Sequence, residues 1–298
     1  MQRQYELKKS RRSIPGSFYF CVFTLVSFFI NSCLEQVNVP LWWDITLGIS
    51  ASEVAAGIGT GGDKIFRVSS EIADQEKLEK GILKPVLVGR EFNSYKIPKN
   101  TGNFIIYANK AIEKAKFPNV MSYLLPHKNK LSQKREAKKG TIPWWNLHWP
   151  RKPKLFEGKK IIVRQTSSTL IAAVDSSSYY CLNSVIIIHP HSWLDEYLLV
   201  AILNSTLMNW YYQEITQEQG RVFAEVKPIN LRKLPVPDEV QITKNLKTVK
   251  EIIQLTKLVH KNYDKKIITK IDNLVYKIYG LKKEEKMYLA RESLKVAS

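Results

Sequence analysis

Three runs of β-branched residues lie close together in the middle of the chain: "KKIIVRQ" from Lys159, "STLIAAVD" from Ser168 and "YYCLNSVIIIH" from Tyr179. Only a few residues separate them, mostly Ser and Asp. Such gaps are too short for crossover helices, so the runs predict an antiparallel sheet. "NFIIYAN" at 103–109 predicts a further strand. Between Ser70 and Leu83, apolar Ile72, Leu78 and Leu83 stand among acids and lysines, the spacing of a short amphipathic helix. Residues 109–127 are helix-like. From Ser192 the period changes again. Ser192 and Asp195 have the S-x-x-D spacing that opens a helix. Leu198, Leu199, Ile202, Leu203, Leu207 and Trp210 then recur at helical intervals. Pro228, Pro235 and Pro237 predict an extended stretch before Asp238. Beyond it Leu246, Val249 and Ile253, then Ile267, Ile271, Leu274 and Ile278, keep a three-four rhythm, and Gly280 is a natural stop for one helix. No internal repeat is visible.

Charge adds a partner to this picture. The chain has 298 residues, 44% of them hydrophobic, and a formal net charge of +19. It has enough apolar residues for a core, and its excess of cations calls for a polyanion. Nucleic acid and an anionic membrane face both qualify. Cys21, Cys33 and Cys181 form no C-x-x-C pair, which indicates reduced, intracellular cysteines. The N-terminus points elsewhere: "KKSRR" precedes an apolar run from Ser17 to Ile30. That arrangement resembles a secretion signal, is short for a membrane span, and equally suits a buried strand. Residues 1–40 are therefore set apart as a tail, a leftover of a longer chain or a membrane anchor.

"VAAGIGTGGDKIF" at 54–66 is the most distinctive loop. Gly57, Gly59 and Gly62 have the G-x-G-x-x-G spacing of dinucleotide-binding turns, and Gly57 and Gly62 frame a P-loop. Phe66 and Val68 alternate with basic residues, however, which predicts a strand where a phosphate-binding helix is required. Asp63 stands where a P-loop carries lysine, and a carboxylate repels phosphate. The loop is expected to be a glycine-rich turn between strands.

Six segments carry a family resemblance in fixed order: "GIGTGGDKIF", "ILKPVLVGREFNSY", "KKIIVRQTSSTLIAAVD", "LLVAILNSTLMNWYY", "VKPINLRKLPVP" and "IDNLVYKIYGL". Together they resemble the TaqI-like C-terminal specificity domain, the target-recognition part of adenine-specific DNA methyltransferases and restriction–modification enzymes. The resemblance covers roughly residues 44 to 281. It implies an α+β domain with a mixed or antiparallel sheet and a helical C-terminal third. It divides the chain into the tail, a recognition domain at 41–238 and a helical segment at 239–298. It also implies a cytoplasmic protein that binds double-stranded DNA. The family's catalytic N-P-P-Y/F motif has no counterpart, since the sequence contains no Asn-Pro dipeptide. The S-adenosylmethionine and the methyl transfer are thus expected on a methyltransferase domain or subunit and not on this chain, with an endonuclease domain or subunit as a further partner the resemblance allows.

The residues expected to meet DNA are basic, amide and aromatic. Lys64 lies on the glycine loop. Lys134 and Arg135 belong to a cluster of six basic residues and one acid between Lys128 and Lys139; with Arg151, Lys152 and Lys154 they can neutralise phosphates. Arg90 and Arg164 end apolar runs, where arginine is seldom placed for packing; each can read guanine or clamp phosphate. Gln165 can pair with adenine. Trp144, Trp145 and Trp149 either stack on a base or close a small core. His189 and His191 form an H-x-H pair with no third metal ligand to name. A basic membrane-associated protein held by the tail is the competing class.

Overall fold

The β-branched runs fold as strands and divide between two sheets. The structure, a computed structural model, describes residues 45–216 and 224–297, all within the unit Pro40–Ser298. The tail, with its apolar run, Cys21 and Cys33, lies outside the described residues. Strands are β1 (Ala51–Ala56), β2 (Arg67–Ser69), β3 (Leu83–Leu87), β4 (Asn103–Ile106), β5 (Lys160–Arg164), β6 (Ala172–Asp175), β7 (Tyr180–Cys181) and β8 (Val185–Pro190). One sheet has the order β1-β8-β5-β6 and is antiparallel throughout. The other has the order β2-β4-β3-β7, with β3 and β7 parallel. The "YYCLNSVIIIH" run therefore splits at Leu182–Ser184 and sends one strand to each sheet.

Strands β5, β6 and β8 of the first sheet are buried on both faces, while edge strand β1 is largely open. Ile162, Ala173, Val185 and Ile187 join the core formed with Val86, Leu87 and Ile105 of the second sheet. Their neighbours Ile161, Val163, Ile186 and Ile188 point the other way and are also fully buried. A strand covered twice has no reason to alternate, which is why these segments read as continuous apolar runs.

The second cover is helical. Helices α1 (Glu196–Asn204), α2 (Thr206–Thr216), α3 (Leu246–Lys261), α4 (Lys265–Ile278) and α5 (Lys283–Ala297) make up most of the C-terminal part. Helix α1 lies on β5 and β6, α3 lies on α1, and α5 lies on α2. The fold is thus α+β. Asp195 caps α1 by accepting from the amides of Tyr197 and Leu198. Ser192 is not the cap, so the helix opens one turn later than its S-x-x-D spacing predicts. The periodicity through Trp210 conceals a break: the Ser205 hydroxyl donates to Ile202 O and accepts from Met208 N, ending α1 and starting α2. In α3 the buried stripe is Val249, Ile252, Thr256 and Val259, while Leu246 is exposed. Gly280, at φ +69°, terminates α4 as expected.

Other expectations were shortened. The helix expected at 70–83 spans only Ser70–Gln75; Lys77 adopts φ +50°, and the chain then straightens into β3. Within 109–127 only Pro118–Leu124 is α-helical. The proline stretch holds a helical turn, Pro228–Leu231, because proline at the first position of a helix forgoes no hydrogen bond. Among the described residues no helix is long and apolar enough to cross a membrane.

Candidate nucleic-acid interface

The glycine loop sits where the two sheets meet. Strand β1 does precede it, but β1 runs antiparallel to β8, unlike the parallel strand of a dinucleotide fold. One expectation is corrected here. A single helical turn, Asp63–Phe66, opens on Gly62, and the strand begins only at Arg67. Ile65 and Phe66 are drawn into the core, which bends the chain into that turn. The turn is a single turn with Asp63 at its start, and four of the loop's amides are already engaged within the protein. Gly57 N donates to Val185 O, Ile58 N to Cys181 O, Gly59 N to Trp149 O and Gly62 N to the Thr60 hydroxyl. The Thr60 hydroxyl in turn donates to Asp63.

The glycines are there for closeness. A Cβ on Gly57 would lie 2.3 Å from Leu182 O and 2.4 Å from Cys181 O. One on Gly59 would lie 3.1 Å from the Trp149 ring, and one on Gly61 would strike the Lys134 side chain at 2.5 Å. The loop is a structural junction between β1, the β7–β8 turn and the segment 148–151.

Two adjoining clefts open over this junction. The first, of ≈ 530 Å³, is lined by Lys64, Arg67, Arg90, Asn103, Arg164 and Asn183, among others. The second, of ≈ 640 Å³, lies along Gly57–Lys64 and includes Lys130, His148, Trp149, Arg151 and Gln165. They share Asp63, Lys64 and Asn183. Lys64, Arg90 and Lys130 are exposed, and among the described residues no ion-pair partner meets their cationic heads. Arg67 is neutralised by Glu91, whose other oxygen accepts from Val88 N. The Arg151 side chain reaches Gly57 O at 3.2 Å. With Asp63 held by Thr60, the clefts carry a surplus of positive charge at their mouths.

Of the expected residues, Lys64, Arg90, Arg164, Gln165, Trp149 and Arg151 line these clefts. Arg164 is already committed. Its Nε donates to Gly89 O at 2.8 Å and its Nη2 to Phe92 O, with Asn93 Oδ1 at 3.3 Å. It ties residues 89–93 to the end of β5, and Gln165 donates to the Glu225 carboxylate. Lys134 is corrected outright as a phosphate contact. It is 7% exposed, and its ammonium donates to Trp144 O and Asn146 O. Burial pushes its pKa down to about 8. Arg135 stays at the surface, paired with Glu136. Trp144 and Trp145 rest half-buried against the core, whereas Trp149 is 52% exposed. His189 bonds to Leu155 O. Asn183 and Ser184, absent from the expected set, enter the cleft from the β7–β8 turn, and nothing in a strand-flanked Asn-Ser marks them in sequence.

The geometry fixes what Arg164 does. Arg164→Ala is expected to lower stability by about 2 kcal/mol, since it strands two carbonyls that accept from a charged group. Arg164→Lys should not restore it, because an ammonium lacks the guanidinium's fork. Urea unfolding midpoints check this; an unchanged midpoint for Arg164→Ala would return the residue to a purely DNA-facing role.

Comparison with known proteins agrees with this architecture. The family model of the TaqI-like C-terminal specificity domain matches residues 84–236, more than half of the chain. The type II methyltransferase M.BstVI of Geobacillus stearothermophilus is 21% identical over 243 residues, covering 80% of this chain and 40% of that enzyme. The structure of the type IIL restriction-modification enzyme MmeI in complex with DNA superposes with a TM-score of 0.59 at 16% identity, over 82% of this chain and 35% of that one. The chain thus spans less than half the length of either relative. The family match runs from β3 to the extended segment before Asp238 and includes Arg90, Asn103, Arg164 and Asn183 of the clefts, though not the glycine loop or Arg67, and the chain belongs to the TaqI-like C-terminal specificity domain family.

Proposed function

We propose that this chain is the DNA target-recognition module of a site-specific adenine methylation or restriction–modification system, and that it holds duplex DNA over the paired clefts. One observation carries the reading: the exposed cations Lys64, Arg90 and Lys130 line clefts that also present amide and hydroxyl side chains. Phosphates need the first, base edges the second. Asn103, Asn183, Ser184 and Thr166 supply donors and acceptors suited to base edges. The family membership and the fold shared with a DNA-bound restriction-modification enzyme support the reading. A methyltransferase domain or subunit holds the S-adenosylmethionine and flips the adenine; an endonuclease is a further partner. The module works in the cytoplasm, beside the DNA it reads.

The test is equilibrium binding of the full chain to mixed-sequence duplex DNA across a salt series. The expected log–log slope is roughly −3 to −6, at about 0.9 per phosphate neutralised. K64A/R90A should reduce its magnitude by about 1.8. Absence of binding at low salt, or a slope near zero, would overturn the proposal.

A further inference from the structure

Trp149 is a large aromatic side chain left half in solvent, 52% exposed, at the edge of the ≈ 640 Å³ cleft. Its sister residues Trp144 and Trp145 take shelter against the core. Exposure of one apolar residue is ordinary by itself. What sets Trp149 apart is how firmly it is held. Its backbone is locked on both sides, N to Gly59 O at 2.7 Å and O to Gly59 N at 3.0 Å. Its ring lies across Gly59, where any Cβ would come within 3.1 Å of the indole. The His148 imidazole backs it, with ring centroids 4.3 Å apart and planes tilted by 39°. His148 is itself paired with the Glu136 carboxylate. Its neighbours at the cleft are Lys130, Lys64 and Arg151. A rigid, pre-seated aromatic surface surrounded by cations has the chemistry that receives a flat base attached to a phosphate chain.

We propose that Trp149 is a stacking platform for a nucleobase that has left the helical stack of the bound DNA. This rests on the DNA-binding reading above and names which part of the DNA meets which residue. In a fully paired duplex both faces of every base are covered, so the indole gains a partner only when a base is extruded or unpaired. Chemistry on a base requires such an extrusion, which uncovers bases on the strand opposite and beside the target. The energy of stacking on Trp149 would offset part of the unstacking. Gly59 is then the residue that gives the indole its seat, which accounts for the middle glycine of the G-x-G-x-x-G spacing.

The experiment compares the full chain with W149F, W149A and W149L on two duplexes of one mixed sequence. One is fully paired; the other carries two adjacent T·T mismatches at its centre. The wild-type chain should bind the mismatched duplex about 5- to 100-fold more tightly, the range of one base–aromatic stack. W149F should keep most of that preference. W149A and W149L should lose it with the salt slope unchanged, since no charge is removed. W149L retains the packing over Gly59, so it answers the question even if W149A misfolds by circular dichroism. Binding by the wild type without preference, or a preference kept by W149L, overturns the stacking proposal and leaves DNA binding standing. Failure of the wild type to bind either duplex removes the DNA-binding reading and this proposal with it.

Discussion

Replacing Lys160 by methionine is expected to cost about 3–5 kcal/mol of folding stability, because it strands a buried carboxylate. Lys160 and Asp175 face each other across β5 and β6, and both side chains are fully buried. The ammonium donates to Asp175 Oδ2 at 2.5 Å and to Phe156 O at 2.6 Å. Asp175 also accepts from Ser177 N at 2.7 Å and Tyr179 N at 3.0 Å, so its oxygens organise the turn into β7. Without Lys160 the carboxylate has amides but no countercharge. K160M/D175N should recover part of the loss, as the neutral amide no longer needs a cation and keeps one acceptor for the turn. Denaturant unfolding of the two variants beside the wild type measures both effects. If K160M unfolds within about 1 kcal/mol of the wild type, the pair is not the staple described here.

Gly57→Ala is expected to be nearly as damaging, at about 3 kcal/mol or more, although it adds one methyl group. The new carbon would fall 2.3 Å from a backbone carbonyl oxygen, far inside contact distance. Backbone cannot rotate away as a side chain does. The β7–β8 turn would have to separate from β1, loosening the bonds Gly57 N to Val185 O and Ile58 N to Cys181 O. A sharp comparison is Gly102→Ala. Gly102 adopts φ +62° but has nothing within 4 Å of an added Cβ, so only the backbone preference is lost, about 1 kcal/mol. Thermal unfolding of both variants ranks the two demands on glycine. An equal loss in both would show that β1 and the turn can part without cost.

Much of the architecture is written in local sequence. The closely spaced β-branched runs pair antiparallel in β5, β6 and β8, while β7 leaves its run to lie parallel to β3; the three-four rhythm after Pro237 forms helices. The order of six segments carries the family resemblance, and net charge adds only that the partner is a polyanion. Local sequence was weaker wherever two parts of the chain compete for one residue. The periodicity through Trp210 crosses a helix break unnoticed, because Ser205 satisfies both ends with its own hydroxyl. Glycine spacing at 57–62 copies a nucleotide-binding turn, because close approach of any backbone or ring demands glycine equally. The surroundings of individual cations are decided only by tertiary structure. Arg90 and Arg164 both end apolar runs, and Lys134 sits in a basic cluster like any surface lysine, so nothing local separates them. Folding brings carbonyls of residues 89–92 to Arg164 and those of Trp144 and Asn146 to Lys134, and leaves Arg90 exposed. Sequence sets how many charges a chain carries; which of them remain free for a partner depends on where distant carbonyls and carboxylates come to lie, and only the fold decides that.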